Sequence, residues 1–152
     1  MRALCFAAGR RICGGMDLCS LLASVKTVVV LGIKTEAQAD QPAHYVPRYW
    51  KSAGLNVIPV PVYYPEVTEI LGHQVYRRLV DVPVPIDLVD VFRRPADLMG
   101  HVDDILAAKP RIVWLQSGIR HDAFADALEA EGIVVVQDRC LMVEHRACAH
   151  VR

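Results

Sequence analysis

Lys34 lies in a loop that begins with one glycine and follows the first apolar run of the chain. The loop, residues 32–42, reads Gly32-Ile33-Lys34-Thr35-Glu36-Ala37-Gln38-Ala39-Asp40-Gln41-Pro42. The glycine permits a tight turn, and a helix opened by Pro42 would present free backbone N–H groups to a phosphate, with Lys34 adding a positive charge. We therefore expect these residues, called loop one below, to hold a phosphate. The alternative is a plain connection between strand and helix.

Two features disfavour ordinary NAD as the ligand. The G-x-G-x-x-G fingerprint is absent from loop one. The second apolar run ends in Val60-Pro61-Val62, whereas an NAD site has an acidic residue there to hold the ribose hydroxyls. An NADP-binding redox module stays open as an alternative, because arginines are available for the additional phosphate.

Two adjacent arginines, Arg93 and Arg94, follow the third apolar run directly. Guanidinium groups form paired hydrogen bonds with phosphate oxygens, so this pair predicts a phosphate contact. A solvated basic turn is the competing interpretation. The expected position of the pair, on the ligand edge of a sheet, favours phosphate.

The turn Gln116-Ser117-Gly118 follows the fourth apolar run. It resembles a nucleophile elbow only superficially, because Leu115 stands where G-x-S-x-G requires its first glycine. We expect backbone and amide contacts with a ligand here, or simply a turn.

The sequence Asp138-Arg139-Cys140 follows the fifth run. Arg139 would favour the thiolate of Cys140 and make it a candidate redox thiol, whereas an inert buried cysteine is the alternative. Cys140 also begins a C-x4-H-x2-C-x-H array that ends at His150. Structural zinc sites favour C-x2–4-C pairs, so this spacing predicts no metal site.

Short apolar runs alternate with helical stretches, and this pattern must position the residues above. Near-continuous Val and Ile content indicates strands that are buried on both faces of a parallel sheet. The predicted strands are Thr27–Leu31, Asn56–Val60, Asp87–Phe92, Arg111–Leu115 and Ile133–Val136, and the predicted helices are Pro42–Ala53, Pro95–Ala108, Asp122–Glu131 and a short one near Asp17.

This alternation predicts a Rossmann-like three-layer α/β fold with a five-stranded parallel sheet in the order 2-1-3-4-5. Ligands of such sheets bind beyond the carboxyl ends of the strands. The residues singled out above all follow strands, so they should share that edge. The segment 60–76, rich in Pro and Tyr, is expected to be an irregular excursion that covers part of the ligand.

Composition bounds the class of protein. The 152 residues are 53% hydrophobic, enough for one domain with a real core. A formal net charge of +0 gives no field to attract nucleic acid or an anionic membrane surface, and no apolar run approaches the ~20 residues of a membrane span. Five cysteines, none in a C-x-x-C pair, predict no disulfide framework and a reducing, cytoplasmic setting.

Residues 1–15 are expected to be an N-terminal extension outside the domain, which would span residues 16–152. No acidic residue precedes Asp17, and Met16-Asp17-Leu18 is typical of a natural protein start. An organellar transit peptide is the alternative for this arginine-rich stretch, although it lacks serine.

With these motifs in place, the chain resembles the small stand-alone CoA-binding proteins, which are related to the CoA-binding domain of the succinyl-CoA synthetase α-subunit. The D-x-V-D-V-F-R-R run, residues 87–94, and the D-R-C-x3-E-H ending, residues 138–145, carry the resemblance. Further matching stretches are 27–32, Pro42-Ala43-His44-Tyr45-Val46-Pro47, 56–61 and 113–118.

By this resemblance, the adenosine and pyrophosphate of CoA would lie over loop one and the turns after the second and third strands. The cofactor-binding residues that it implies are Gly32, Ile33, Lys34, Gln41, Pro42, Pro61, Val62, Phe92, Arg93, Arg94, Gln116, Ser117, Gly118, Asp138, Arg139 and Cys140. Many relatives have Val-Asn-Pro where this chain has Val60-Pro61-Val62, and Ser and Arg in place of Ile33 and Gln41.

The sequence therefore predicts a module that binds CoA or an acyl-CoA without catalytic apparatus of its own. A thiol-based redox protein that uses Cys140 with CoA is the second interpretation. A small-molecule nucleotide is the expected partner, and neither nucleic acid nor membrane is expected.

Overall fold

Five parallel strands form the centre of the protein. The computed structural model describes residues 17–149, and the strands of its main sheet lie in the order β2-β1-β5-β6-β7. Their bounds are Thr27–Leu31 for β1, Asn56–Val60 for β2, Leu88–Val91 for β5, Ile112–Leu115 for β6 and Val134–Val136 for β7. This is the predicted order 2-1-3-4-5, and the Rossmann-like three-layer fold is confirmed.

Helices cover both faces of the sheet. One face carries α1, Leu18–Ala23, α2, Pro42–Ser52, and α5, Leu141–Ala149, whereas the other carries α3, Val102–Ala108, and α4, Asp122–Glu129. Alternate residues of each strand point to opposite faces, so Val28 and Val30 of β1 join the first core while Val29 and Leu31 join the second. Both cores are built of fully buried aliphatic and aromatic side chains.

The predicted helix Pro95–Ala108 is divided in two. Residues Pro95–His101 form a 3-10 helix, and the α-helix begins only at Val102. Gly100, which has the poorest helix propensity after proline, lies beside the junction. The 3-10 helix turns the chain beyond β5 before α3 runs back along the sheet.

A hairpin and the helix after Cys140 are among the elements that were not predicted. The excursion 60–76 contains a small antiparallel hairpin of β3, Glu69–Ile70, and β4, His73–Gln74. The residues after Cys140 form helix α5, which packs on α1 and α2. Only Leu141 and Cys148 of α5 are buried, so the apolar periodicity of this segment is too weak to predict a helix.

The expectation of no disulfide is wrong, because Cys19 of α1 is bonded to Cys148 of α5. The two cysteines are 129 residues apart in sequence, and no local motif brings such a pair to notice. The packing of the first and last described helices on one face of the sheet places them together. Cys148 is thereby removed from the C-x4-H-x2-C-x-H array, whose His150 lies outside the described residues.

Strand β2 lies at one edge of the sheet and contains Pro59. The N–H of Tyr76 donates to the carbonyl of Pro59 over 3.0 Å, so the chain beyond the hairpin runs along this edge. None of the helices between residues 17 and 149 is long and apolar enough to cross a membrane. The predicted extension, residues 1–15, and the start at Met16 lie outside the described residues.

Candidate functional site

The loops that follow β1, β2, β5, β6 and β7 lie along one edge of the sheet, because all five strands run in the same direction. These loops contain fifteen of the sixteen residues that the sequence analysis assigned to a site, and the sixteenth, Pro42, is the first residue of α2. The edge is the position at which doubly wound sheets bind their ligands.

Gly32 brings loop one against the end of β5. Its φ of 85° is in the left-handed region, and a Cβ atom at this position would lie 2.3 Å from the carbonyl oxygen of Phe92. The N–H of Gly32 donates to the carbonyl of Val60 over 2.9 Å. Only glycine therefore allows the ends of β1, β2 and β5 to approach so closely.

Loop one leads into helix α2 through an ordered turn. Ile33 is buried in the core, and the N–H of Lys34 donates to the carbonyl of Ala43 over 3.1 Å. The ammonium group of Lys34 donates to the side-chain oxygen of Gln41, the residue that precedes Pro42 at the first position of the helix. The first turn of α2 has neither a side-chain cap nor an acidic residue of its own.

The hairpin is attached to loop one. A side-chain oxygen of Glu36 accepts the N–H of Leu71 over 2.7 Å, and the ammonium group of Lys51 donates to the carbonyl of Leu71. Burial alone would raise the pKa of Glu36, but the N–H of Leu71 and the nearby His44 hold it below its ordinary value. These contacts join the turn of the hairpin both to loop one and to helix α2.

Arg93 turns back over the edge and is held on three sides. Its Nε donates to Nε2 of His101 over 3.2 Å, an Nη donates to the hydroxyl of Tyr63 over 3.4 Å, and the other Nη lies 3.5 Å from the carboxylate of Asp97. The side chain is only 12% exposed. Arg94 points outward, 78% exposed, and pairs with the same Asp97. The two arginines therefore differ, and Arg93 is the preorganised one.

His101 acts as an acceptor for Arg93 and must be neutral to do so. Burial, and then the positive charge of Arg93, hold the pKa of His101 below its ordinary value, although Asp104 and Asp97 oppose the shift. An unprotonated Nε2 at neutral pH is consistent with the hydrogen bond from Arg93. Sequence reasoning missed this contact, because a histidine eight residues after an arginine carries no signal of its own.

The turns after β6 and β7 are joined to each other. The N–H of Gly118 donates to the carboxylate of Asp138 over 2.6 Å, and the N–H of Asp138 donates to the carbonyl of Ile119 over 3.1 Å. Asp138 has a φ of 55°, an uncommon conformation for a residue with a side chain. Ser117 and Gly118 are exposed at this double turn.

Gln116 does not extend from the edge. Its side-chain amide is buried and donates to Oδ1 of Asp90 over 2.6 Å, inside the sheet. Asp90 is fully buried in β5, and burial raises its pKa to about 7 against the opposing effect of this hydrogen bond. The turn after β6 therefore offers a ligand its backbone and Ser117, while the amide of Gln116 is committed to the core.

Cys140 lies directly before α5 and is partly exposed, and it is the free cysteine among residues 17–149. Arg139 pairs with Glu144 at 3.4 Å, and its carbonyl accepts the indole N–H of Trp114 over 2.7 Å. The hydroxyl of Tyr49 and Nδ1 of His145, on α2 and α5, are 2.8 Å apart. The chain after β7 is thus held by contacts with β6 and α5.

Pro61 is buried and Val62 is half-buried against the second core, so neither offers a polar group to a ligand from its side chain. The next residue, Tyr63, is 58% exposed beside Arg93. It was not among the predicted site residues. The Pro- and Tyr-rich composition of segment 60–76 indicated that this region covers part of the ligand. That composition does not show which tyrosine faces the edge.

The described residues also form an open pocket of about 630 Å³ at the opposite edge of the sheet. It lies at the amino ends of β6 and β7 and includes Ile112 and Val134 in its lining. None of the sixteen predicted residues lines it. Within residues 17–149, no three His, Cys, Asp or Glu side chains are grouped so that they could hold a metal ion.

The edge thus combines a glycine that lets the strand ends approach closely, a helix end without an acidic residue in its first turn, and a preorganised guanidinium. The helix end and the guanidinium are suited to phosphate oxygens. Comparison with known families finds a match to the model of the CoA binding domain over residues 26–146. The chain belongs to the CoA-binding domain family.

Similar proteins include three from Bacillus subtilis, Thermus thermophilus and Pyrococcus horikoshii. The uncharacterized protein YneT of Bacillus subtilis (strain 168) is 30% identical over 129 residues, 85% of this chain and 92% of YneT. The structure of cell-free ID.343 from Thermus thermophilus is 46% identical, with a TM-score of 0.79 over 86% of this chain and 96% of that one. A hypothetical protein from Pyrococcus horikoshii OT3 is 27% identical, with a TM-score of 0.76 over 86% and 88% of the two chains.

Proposed function

We propose that this member of the CoA-binding domain family is a stand-alone module that binds CoA or an acyl-CoA along the carboxyl edge of its sheet. The observation that carries the proposal is the meeting of Gly32 and Arg93 at the ends of β1 and β5, where the Cδ of Arg93 lies 3.1 Å from the position of a Cβ on Gly32. A phosphate bound beside this point would have the guanidinium of Arg93 within reach.

The surrounding residues suit the pyrophosphate of CoA and its pantetheine arm. The first turn of α2 and Lys34 favour the pyrophosphate, because the helix end supplies partial positive charge and the lysine a full one. The exposed double turn at Ser117, Gly118 and Asp138 extends the same edge beyond β6 and β7. The pantetheine arm could follow this direction toward Cys140.

Thermal denaturation with a panel of CoA, acetyl-CoA, NAD and NADP tests the proposal. A ligand that binds only the folded protein stabilises it by ~2.7 kcal/mol at a hundred times its Kd, so CoA or acetyl-CoA should raise the Tm. NAD should leave the Tm unchanged. A rise with NADP alone would replace the proposal with a redox module, and no rise with any of the four would remove it.

A second candidate function, thiol exchange at Cys140, is favoured by the partial exposure of this free cysteine on the same edge. The thiolate of Cys140 would attack CoA disulfide, forming a Cys140–CoA mixed disulfide and releasing one CoA thiolate. Intact-protein mass spectrometry after incubation with CoA disulfide should then show one CoA adduct, absent from Cys140→Ser. An adduct of equal yield on Cys140→Ser would exclude this function and leave the binding module.

A further inference from the structure

Tyr63 is the most exposed large apolar residue among those that the structure describes, 58% exposed, and it lies at the carboxyl edge of the sheet. A single exposed apolar side chain is ordinary in a protein surface. Its position is not ordinary, since it follows the end of β2 by three residues and faces the side chain of Arg93.

Hydrogen bonds from Arg77 hold the backbone around Tyr63. The guanidinium of Arg77 donates to the carbonyl of Tyr63 over 3.0 Å, to that of Tyr64 over 2.9 Å and to that of Val67 over 2.7 Å. Tyr64 has a φ of 62°, which a residue with a side chain adopts only when its surroundings hold it there. The exposed ring is therefore carried by a rigid turn.

The ring itself is held on one side and open on another. The guanidinium carbon of Arg93 lies 5.5 Å from the ring centroid, and the Tyr63 hydroxyl accepts a hydrogen bond from the same guanidinium. Tyr64 meets the ring edge-on, with centroids 6.4 Å apart. Over half of the surface of Tyr63 nevertheless remains accessible, next to the proposed phosphate-binding arginine.

A rigid, accessible aromatic ring beside a cation suits a ligand that carries a flat base next to phosphate. Stacking of a base on an aromatic side chain is favourable with every base, and it costs little ordering when the ring is already fixed. We propose that Tyr63 stacks on the adenine ring of the ligand and so binds its nucleotide end. This inference rests on the proposed function, and it assigns the base to a residue that the sequence analysis did not include.

Three substitutions separate stacking from the other contacts of Tyr63. Tyr63→Phe keeps the ring and removes the hydroxyl that contacts Arg93, Tyr63→Leu keeps an apolar side chain without a ring, and Tyr63→Ala removes both. Met99→Ala, which removes another exposed apolar side chain from the 3-10 helix after β5, is the matched control. Circular dichroism and Tm would verify that each variant is folded.

Calorimetric titration with CoA and with adenosine 3′,5′-bisphosphate measures the outcome. Tyr63→Ala and Tyr63→Leu should weaken both ligands by roughly 5- to 150-fold, the equivalent of ~1–3 kcal/mol for one stacked base. Tyr63→Phe should weaken binding less than Tyr63→Leu and Tyr63→Ala do, because it keeps the ring and loses only the contact with Arg93. Met99→Ala should bind like the unmodified protein. Equal weakening by Tyr63→Phe and Tyr63→Ala would assign the effect to the hydroxyl and overturn the stacking role, as would unchanged affinity in Tyr63→Leu.

Titration of the unmodified protein with CoA distinguishes a failure of the stacking role from a failure of the proposed function. If it binds CoA and the three Tyr63 variants bind equally well, the stacking role fails while the proposed function stands. If it binds no CoA at any concentration tested, both fail together.

Discussion

The carbonyl oxygen of Phe92 occupies the space in which any side chain at position 32 would have to begin. Gly32 combines this contact with a left-handed φ, whereas Gly54 has a similar φ of 92° with nothing within 4 Å of its Cβ position. The two glycines therefore separate the effect of backbone conformation from the effect of close packing at the edge.

We expect Gly32→Ala to lower stability more than Gly54→Ala does. Both substitutions place a side chain in the left-handed region, at a cost of roughly 1–2 kcal/mol, but only Gly32→Ala also forces the ends of β1 and β5 apart. CoA affinity should fall in Gly32→Ala and stay unchanged in Gly54→Ala. Urea denaturation and calorimetric titration measure the two effects, and equal losses at both positions would show that the close approach is unimportant.

Arg93→Ala should weaken CoA binding by roughly 1–3 kcal/mol, the scale of a charge-assisted hydrogen bond. Arg48→Ala, on the exposed face of α2, is the control for the loss of one positive charge. Repeating the titration with dephospho-CoA, which lacks the 3′-phosphate, identifies the group that Arg93 contacts. Unchanged affinity in a folded Arg93→Ala protein would return this arginine to a structural role with Tyr63, His101 and Asp97.

Asp90 makes stability depend on pH. Burial raises its pKa from an ordinary 3.8 to about 7, so at intermediate pH the folded protein holds a proton that the unfolded chain has already lost. The free energy of unfolding should therefore fall as pH rises between about 4 and 7, by on the order of 1.4 kcal/mol for each unit of pKa shift. Above that range the contribution of Asp90 is constant.

Asp90→Asn should remove this dependence, because an amide has no proton to lose and its oxygen can still accept from Gln116. Denaturation at pH 4 and pH 8 should show the variant gaining stability over the unmodified protein at the higher pH. Asp103→Asn, an exposed change on α3, should leave the dependence intact. Parallel pH profiles for the unmodified and Asp90→Asn proteins would contradict the raised pKa.

Reduction of the Cys19–Cys148 disulfide should lower the Tm. Bridging residues 129 apart restricts the unfolded chain strongly, by up to about 5 kcal/mol in the chain-entropy description. The Cys19→Ser/Cys148→Ser double variant should have the lower Tm from the outset and show no response to a reductant. A Tm that responds equally in both proteins would mean that the bond contributes nothing.

The sheet could be predicted from the sequence because its strands are nearly continuous runs of Val, Ile and Leu, as in Val28-Val29-Val30. Their order followed from the short helical crossovers, and it is the observed one. Helix α5 could not be predicted, since it buries little. The bond between Cys19 and Cys148 could not be predicted either, because it depends on how the first and last helices pack.

The location of the site followed from the strand ends, but the direction of its side chains did not. Gln116 turns inward because Asp90, a buried carboxylate, needs a donor. Arg93 turns inward toward Tyr63, which reaches it from thirty residues earlier in the chain. These side-chain directions depend on tertiary neighbours, which no local sequence pattern encodes. The ligand contacts of the predicted site residues stay predictions.

Pro59 has a consequence for how this protein behaves at high concentration. Its carbonyl points away from β1, toward Tyr76, and its nitrogen points the same way without a hydrogen to donate. A strand from another molecule would find one donor missing and the hairpin in its path, while β7 at the other edge has only three residues. Both margins of the sheet thus resist the edge-to-edge pairing that leads β-proteins into aggregates.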